Sequence, residues 1–221
     1  LTMNDLHYFT YKDVMQLDNH LMSNCHLSMD QLIERAGYLI YRWLYDHHFN
    51  QPMCFFIGPG NNGKDALVAA RYLVSCHQDV TIYAPFDTLI HSNYYQQLHC
   101  IEGVKFVHEL PNKLNHHTVL IDALFGVGIN REFDSTIATI IHTMNSFNGV
   151  VVSIDIPSGL FEDRDSLSVH ANTTLTMMVP KQVFTQTNKR SIFGDVYLLN
   201  FRLPLCYFNN TVHFQPKDYY L

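Results

Sequence analysis

Seven short runs rich in β-branched and aromatic residues recur along the chain: "MCFFIG", "VTIYA", "VKFV", "TVLIDAL", "VVVSIDI", "TLTMMV" and "DVYLLN". Segments of helical period lie between them. "DALVAARYLVSC" and "FDSTIATIIHTM" both repeat apolar residues every three or four positions. Strands that alternate with helices return to the sheet by crossovers rather than hairpins, which predicts an α/β fold with a central, mostly parallel sheet covered by helices. Runs that read apolar on both faces belong in the middle of such a sheet. At 221 residues the chain can fill one large α/β core and hardly two, so a single domain over residues 1–221 is expected.

The first 50 residues read as a helical segment ahead of the sheet. Ser28 and Gln31 have capping-box spacing, and Leu32, Ala36, Ile40 and Trp43 then form an apolar stripe that has to pack on the sheet or on a second subunit. Past residue 200, "FRLPLCYFNNTVHFQPKDYYL" is aromatic and broken by prolines, and reads as an irregular tail.

Charge removes one class of partner. With 14 Lys and Arg against 20 acids and a net charge of -6, the surface lacks the clustered cations that a nucleic acid requires. The five cysteines, Cys25, Cys54, Cys76, Cys100 and Cys206, are scattered and never in C-x-x-C spacing. Buried thiols in a reducing cytoplasm are therefore expected, with neither a disulfide framework nor a zinc site. No apolar run of membrane-spanning length and no signal peptide is expected, so the sequons at Asn172 and Asn209 are set aside. The pairs His47-His48 and His116-His117 sit among turn-like polar residues and read as solvated surface.

The stretch "IGPGNNGKDALVAARYL" satisfies two phosphate-binding patterns. Gly58, Gly60 and Gly63 fit the dinucleotide fingerprint, whereas Gly58, Gly63 and Lys64 fit the start of a P-loop. Its context is strand, Gly-rich turn, helix, which aims free N–H groups and a positive helix end at an anion. The P-loop reading fails at Asp65, where a hydroxyl should hold magnesium. The fingerprint fares better, since Asp87 follows the second strand where a ribose-binding acid would lie. Even so, Asn61, Asn62 and Asp65 offer polar groups that an ordinary fingerprint does not need. Each alone would be a turn or cap residue; three within five positions point to a binding site.

Two more polar clusters end strands. "VLIDALFGVGINREF" places Asp122 before Gly126 and Gly128, and "VVVSIDIPSGL" places Asp155 before Pro157, Ser158 and Gly159. Ligands of open parallel sheets bind outside the carboxyl ends of the strands, so these three loops are expected to converge on one crevice.

Together "GPGNNGKDALVAARYL", "LIDALFGVGINREF" and "VVSIDIPSGL" resemble the NAD(P)H-hydrate epimerase family, and "LIERAG" and "ANTTLTMMVPK" look like two further motifs of that family in the same order. The resemblance implies a Rossmann-like αβα sandwich, homodimeric, that interconverts the R and S epimers of hydrated NADH and NADPH (NADHX and NADPHX). It also implies a bound potassium ion, carried over onto Asn62, Asp122 and Ser158. An oxygen-only set with a single carboxylate suits a weakly charged hard cation. Substrate contacts carried over are Asn61, Asn62, Gly63, Lys64 and Asp65, then Gly126, Val127, Gly128, Ile129, Asn130, Arg131 and Glu132, and Asp155. The partner implied is a separate NAD(P)H-hydrate dehydratase that acts on the product.

The chain departs from the family pattern at Lys64 and Ala66, at "FEDRD" after the P-S-G turn, and at Lys181-Gln182-Val183. In the implied reaction the ring nitrogen's lone pair expels a protonated hydroxyl, and water re-enters the planar iminium from either face. Asp155 is the expected acid/base, with Lys181 assisting proton transfer or holding phosphate. Two rivals stay open: a non-catalytic nucleotide-binding or scaffolding module, and an ordinary NAD-dependent oxidoreductase, for which the sequence shows no evident hydride-transfer site.

Overall fold

The computed structural model describes residues 7–86, 91–111, 114–129, 133–208 and 219–220. Two helices come first. Helix α1 (Tyr11–Ser23) starts at Thr10, whose hydroxyl accepts from Asp13 N while the Asp13 carboxylate accepts from Thr10 N, a reciprocal cap. Helix α2 (Met29–His48) starts with the expected exchange between Ser28 and Gln31. Its buried stripe runs through Leu32, Ala36, Ile40 and Leu44. Trp43 lies beside that stripe, half-buried and stacked on His47.

The remaining elements alternate: β1 (Met53–Ile57), α3 (Asn61–Ser75), β2 (Val80–Tyr83), α4 (Asn93–His99), β3 (Lys105–Val107), β4 (Val119–Ala123), α5 (Ser135–Asn145), β5 (Val150–Ile154), β6 (Thr173–Met177), β7 (Asp195–Leu199) and β8 (Tyr219–Tyr220). All seven strands expected from the sequence are present. They form a parallel sheet in the order β3-β2-β1-β4-β5-β6-β7, and β8 adds to β7 antiparallel. The tail is therefore not wholly irregular, because Tyr219–Tyr220 supply an edge strand. The chain winds outward from β1 to β3, then returns to place β4 on the other side of β1. Loops leaving β1 and β4 diverge there and open a crevice at the carboxyl ends of the strands.

Strand β1 shows how the layers arise. Met53, Phe55 and Ile57 face one side and pack with Ile40 and Leu44 of α2 and Leu67, Ala70 and Leu73 of α3. Cys54 and Phe56 face the other side and pack with Ile137, Ile140, Ile141 and Met144 of α5. Helix α1 docks through Val14, Leu17 and Leu21 in a third cluster with Val179, Val196 and Leu198. The segment ahead of the strands thus packs on this chain's own sheet and helices.

Of Cys25, Cys54, Cys76 and Cys100, only Cys54 is buried. Cys25 and Cys76 are half-buried and Cys100 is exposed, which corrects the expectation of buried thiols; all four are free. Among the described residues no helix is long and apolar enough to cross a membrane.

Candidate functional site

The crevice deepens into a cavity of about 520 Å³. Its floor is made by the loops after β1, β4, β5 and β6 and by the first turn of α3, and helices α1 and α2 wall it in. The three loops expected to converge do so.

In the first loop the Asn-Asn pair is not a turn before the helix but the helix's own first turn, with Gly60 as N-cap and no side chain capping it. The leading N–H groups of α3 are thus left to whatever occupies the cavity, together with the positive end of the helix dipole. Gly58 and Gly63 permit this geometry through contact with protein backbone. A Cβ on Gly58 would sit 1.6 Å from the carbonyl oxygen of Leu124, and one on Gly63 would sit 2.0 Å from that of Gly58. Asn61, Asn62 and Asp65 line the cavity; Gly63 is packed against Gly58 and is not in the lining. Lys64 is outside the lining too, its ammonium donating to Asn61 Oδ1 at 3.2 Å.

Asp122 ends β4 fully buried. Its carboxylate accepts from Ser153 Oγ at 2.8 Å, Ser158 N at 2.8 Å, Ser158 Oγ at 2.6 Å and Leu124 N at 3.3 Å. Burial pushes its carboxyl pKa up, against the opposing pull of these bonds. Ser158 Oγ accepts from Phe125 N and has two acceptors in reach, Asp122 Oδ1 and Phe125 O at 3.2 Å, for its single proton. One of those oxygens therefore keeps a lone pair. Asn62 Nδ2 donates to Ile154 O, while Asn62 Oδ1 is buried without a hydrogen-bond partner among the described residues. Asn62 Oδ1 and that one spare oxygen are lone pairs of the kind that suit a hard cation, although of the three predicted ligands only Asn62 lines the cavity, Asp122 and Ser158 being buried beneath it. Among the described residues no cluster of three or more His, Cys, Asp or Glu could hold a metal.

Asp155 occupies a strained bend. Its φ is +69°, and Ile156 N donates to Ile154 O at 2.9 Å, closing a three-residue turn around it. Met178 repeats the device after β6, with φ +65° and Val179 N donating to Met177 O at 2.7 Å. Such turns are rare because non-glycine residues resist positive φ, at a cost of about 1–3 kcal/mol each. Both cut their strands shorter than the apolar runs predict, and both residues line the cavity. The Asp155 carboxylate pairs with Lys181 Nζ at 2.8 Å and accepts from Val127 N at 3.2 Å. Lys181 is fully buried and also donates to Thr176 Oγ1 and Met177 O. Its backbone is held from the N-terminal side: Phe9 N donates to Pro180 O and Gln182 N to Phe9 O.

Gly126, Val127, Gly128 and Ile129 line the cavity, whereas Asn130, Arg131 and Glu132 lie outside the described residues, as does Asp87. Sequence reasoning missed Asp18 of α1, which lines the same cavity. Burial first, then the Asp155 carboxylate, pushes its carboxyl pKa up to about 6, with Lys181 opposing. Asp65 is pushed well up by burial and by Asp155 and Asp18, with Lys64 opposing. The cap signature Thr10-x-x-Asp13 marks α1 in the sequence, but nothing local shows which of its acids reaches the cavity.

The chain matches the family described as YjeF-related protein N-terminus over residues 29–183. It is 31% identical over 208 residues to the NAD(P)H-hydrate epimerase of Plasmodium vivax, covering 87% of this chain and 70% of that one. It is 34% identical over 168 residues to the NAD(P)H-hydrate epimerase of Dictyostelium discoideum, covering 71% of this chain and 70% of that one. In fold it is similar to the crystal structure of yeast YNL200c, with a TM-score of 0.79 at 21% identity over 97% of this chain and 96% of that one. The family match over residues 29–183, together with relatives at least 30% identical over most of the chain, places it in the YjeF-related N-terminal domain family.

Proposed function

We propose that the chain is an isomerase that interconverts the R and S forms of hydrated NADH and NADPH. The observation that carries the reading is the buried Asp155–Lys181 pair, held by a strained turn on the floor of a cavity that also receives the open end of α3. The 520 Å³ volume lies within the usual range for small-molecule and cofactor sites. The N–H groups of Asn61 and Asn62 suit a pyrophosphate. Asn62, Asp122 and Ser158 would hold a potassium ion, whose positive charge would offset substrate phosphate charge.

The apolar walls, among them Val14, Leu32, Ile33 and Phe201, exclude water from the ring. The Asp155 carboxylate can take a proton from water that adds to the ring carbon and return it to a departing hydroxyl. Lys181 fixes that carboxylate in place through their 2.8 Å contact. Proton transfer of this kind contributes about 10²–10⁴-fold. The family names come from relatives about 30% identical, and the residues above are consistent with the same work here.

A homodimer, and a separate dehydratase that consumes the product, belong to the same proposal. The decisive assay follows separated epimers of hydrated NADH by chromatography. Addition of the chain should bring them to equilibrium well ahead of the spontaneous rate and without ATP. Equal rates with and without a high concentration of chain would leave a non-catalytic nucleotide-binding module as the reading.

A further inference from the structure

We propose that Asp18 is a second proton-transfer group of this site, serving one face of the substrate ring while Asp155 serves the other. The inference rests on the epimerase reading above. Asp18 belongs to a helix that the strand-end motifs do not include. Val14, Met15, Asp18, Asn19 and Met22 fall at three- and four-residue spacing on α1 and all line the cavity, so Asp18 stands on the helical wall. Asp155 stands on the floor formed by the strand ends. A ring bound in the cavity lies between the two.

The charges divide the roles. Asp155 is in contact with the Lys181 ammonium at 2.8 Å and also accepts from Val127 N. Asp18 has no hydrogen bond or ion pair among the described residues. The groups that act on it are Asp155, Lys181 and, from α3, Asp65. The Lys181 ammonium is paired with Asp155 and only opposes, without neutralising, the effect of burial and of the Asp155 charge on Asp18. Burial and the Asp155 charge raise Asp18 accordingly, to about 6. Asp65 shares the floor with Asp155, so the helical wall has Asp18 as its acid.

The proton balance closes. Protonated Asp18 gives its proton to the ring hydroxyl; the carbon–oxygen bond breaks, water leaves, and the nitrogen lone pair forms the iminium. Water then adds from the Asp155 side, a new carbon–oxygen bond forms, and the Asp155 carboxylate takes the released proton. The enzyme is left with Asp18 ionised and Asp155 protonated. The opposite epimer uses that form in reverse, or water in the cavity returns the proton. Each carboxyl alone can also expel the hydroxyl and re-add water on its own face, which exchanges oxygen without inversion.

Oxygen exchange and inversion are therefore separable. Each pure epimer of hydrated NADH is incubated with the chain in ¹⁸O-water, the epimers are resolved by chromatography, and label is read by mass spectrometry. The unmodified chain should interconvert the epimers and label both. Asp18→Asn should lose interconversion about 100-fold or more and still label one epimer with retention; Asp155→Asn should show this pattern for the other epimer. Wild-type interconversion by Asp18→Asn, or equal labelling of both epimers by it, overturns the proposal. If the unmodified chain neither exchanges nor interconverts, the epimerase reading itself has failed. Should Asp18→Asn not fold, as judged by its melting curve, the pH profile of the unmodified chain decides: exchange into one epimer only should show a limb near pH 6, and identical profiles for both overturn the assignment.

Discussion

At the scale of single residues, Gly58 and Gly63, two of the glycines that suggest a phosphate loop, are fixed by backbone contact. Gly58 lies where β1 leaves the sheet, and its missing Cβ leaves room for the Leu124 carbonyl of the neighbouring loop. Backbone on both sides cannot swing away as a side chain could. Gly58→Ala should therefore destabilise the chain by more than about 4 kcal/mol or prevent folding, measured by urea denaturation. Gly60 has open space where a Cβ would go, so its alanine variant supplies the control. Asp155 shows a different residue-scale effect. Its positive φ stands in a residue other than glycine, and the Lys181 ion pair and the Val127 amide offset part of the strain.

At the scale of elements, α1 adds the cavity wall to the parallel sheet. It is a short amphipathic helix attached through Val14, Leu17 and Leu21, and its start depends on the exchange between Thr10 and Asp13. The Thr10 hydroxyl also donates to Asp13 Oδ2 at 2.7 Å. Thr10→Ala removes the cap and should cost about 1 kcal/mol of stability. Because the first turn of α1 leads into the wall, the Michaelis constant for hydrated NADH should rise several-fold with smaller loss of turnover. Denaturation and steady-state kinetics on the same variant test both. Helix α3 makes the complementary contribution: its hydrophobic side is buried beneath α2, and its first turn faces the cavity without a side-chain cap.

At the scale of the whole molecule, the cavity acids link folding to pH. In the unfolded chain an Asp releases its proton near 3.8, whereas folded Asp18 holds its proton to about 6 and Asp65 is also raised. Between those values the folded state binds more protons. The contribution is thus fully present below the unfolded pKa and is lost as pH rises through the folded one. The ligand-free chain should melt at a higher temperature at pH 5 than at pH 7.5, and Asp18→Asn should narrow the difference; equal narrowing by Asp79→Asn, at the surface, would count against it. The alternation of apolar runs with helical periods already determined the α/β class, the seven parallel strands and the convergence of the loops after β1, β4 and β5, because strand and helix periods are local and a parallel sheet has one way to place its strand ends. The bends at Asp155 and Met178 were hidden in runs that read as continuing strands, since a positive φ leaves no compositional mark on a non-glycine residue. The tail strand escaped for a related reason: Tyr219–Tyr220 pair with β7 from a stretch without strand periodicity. Only the tertiary structure brought Asp18 into the cavity that holds Asp155, 137 positions away in the sequence. Their meeting depends on α1 docking across the crevice, a contact made by packing rather than by any local pattern.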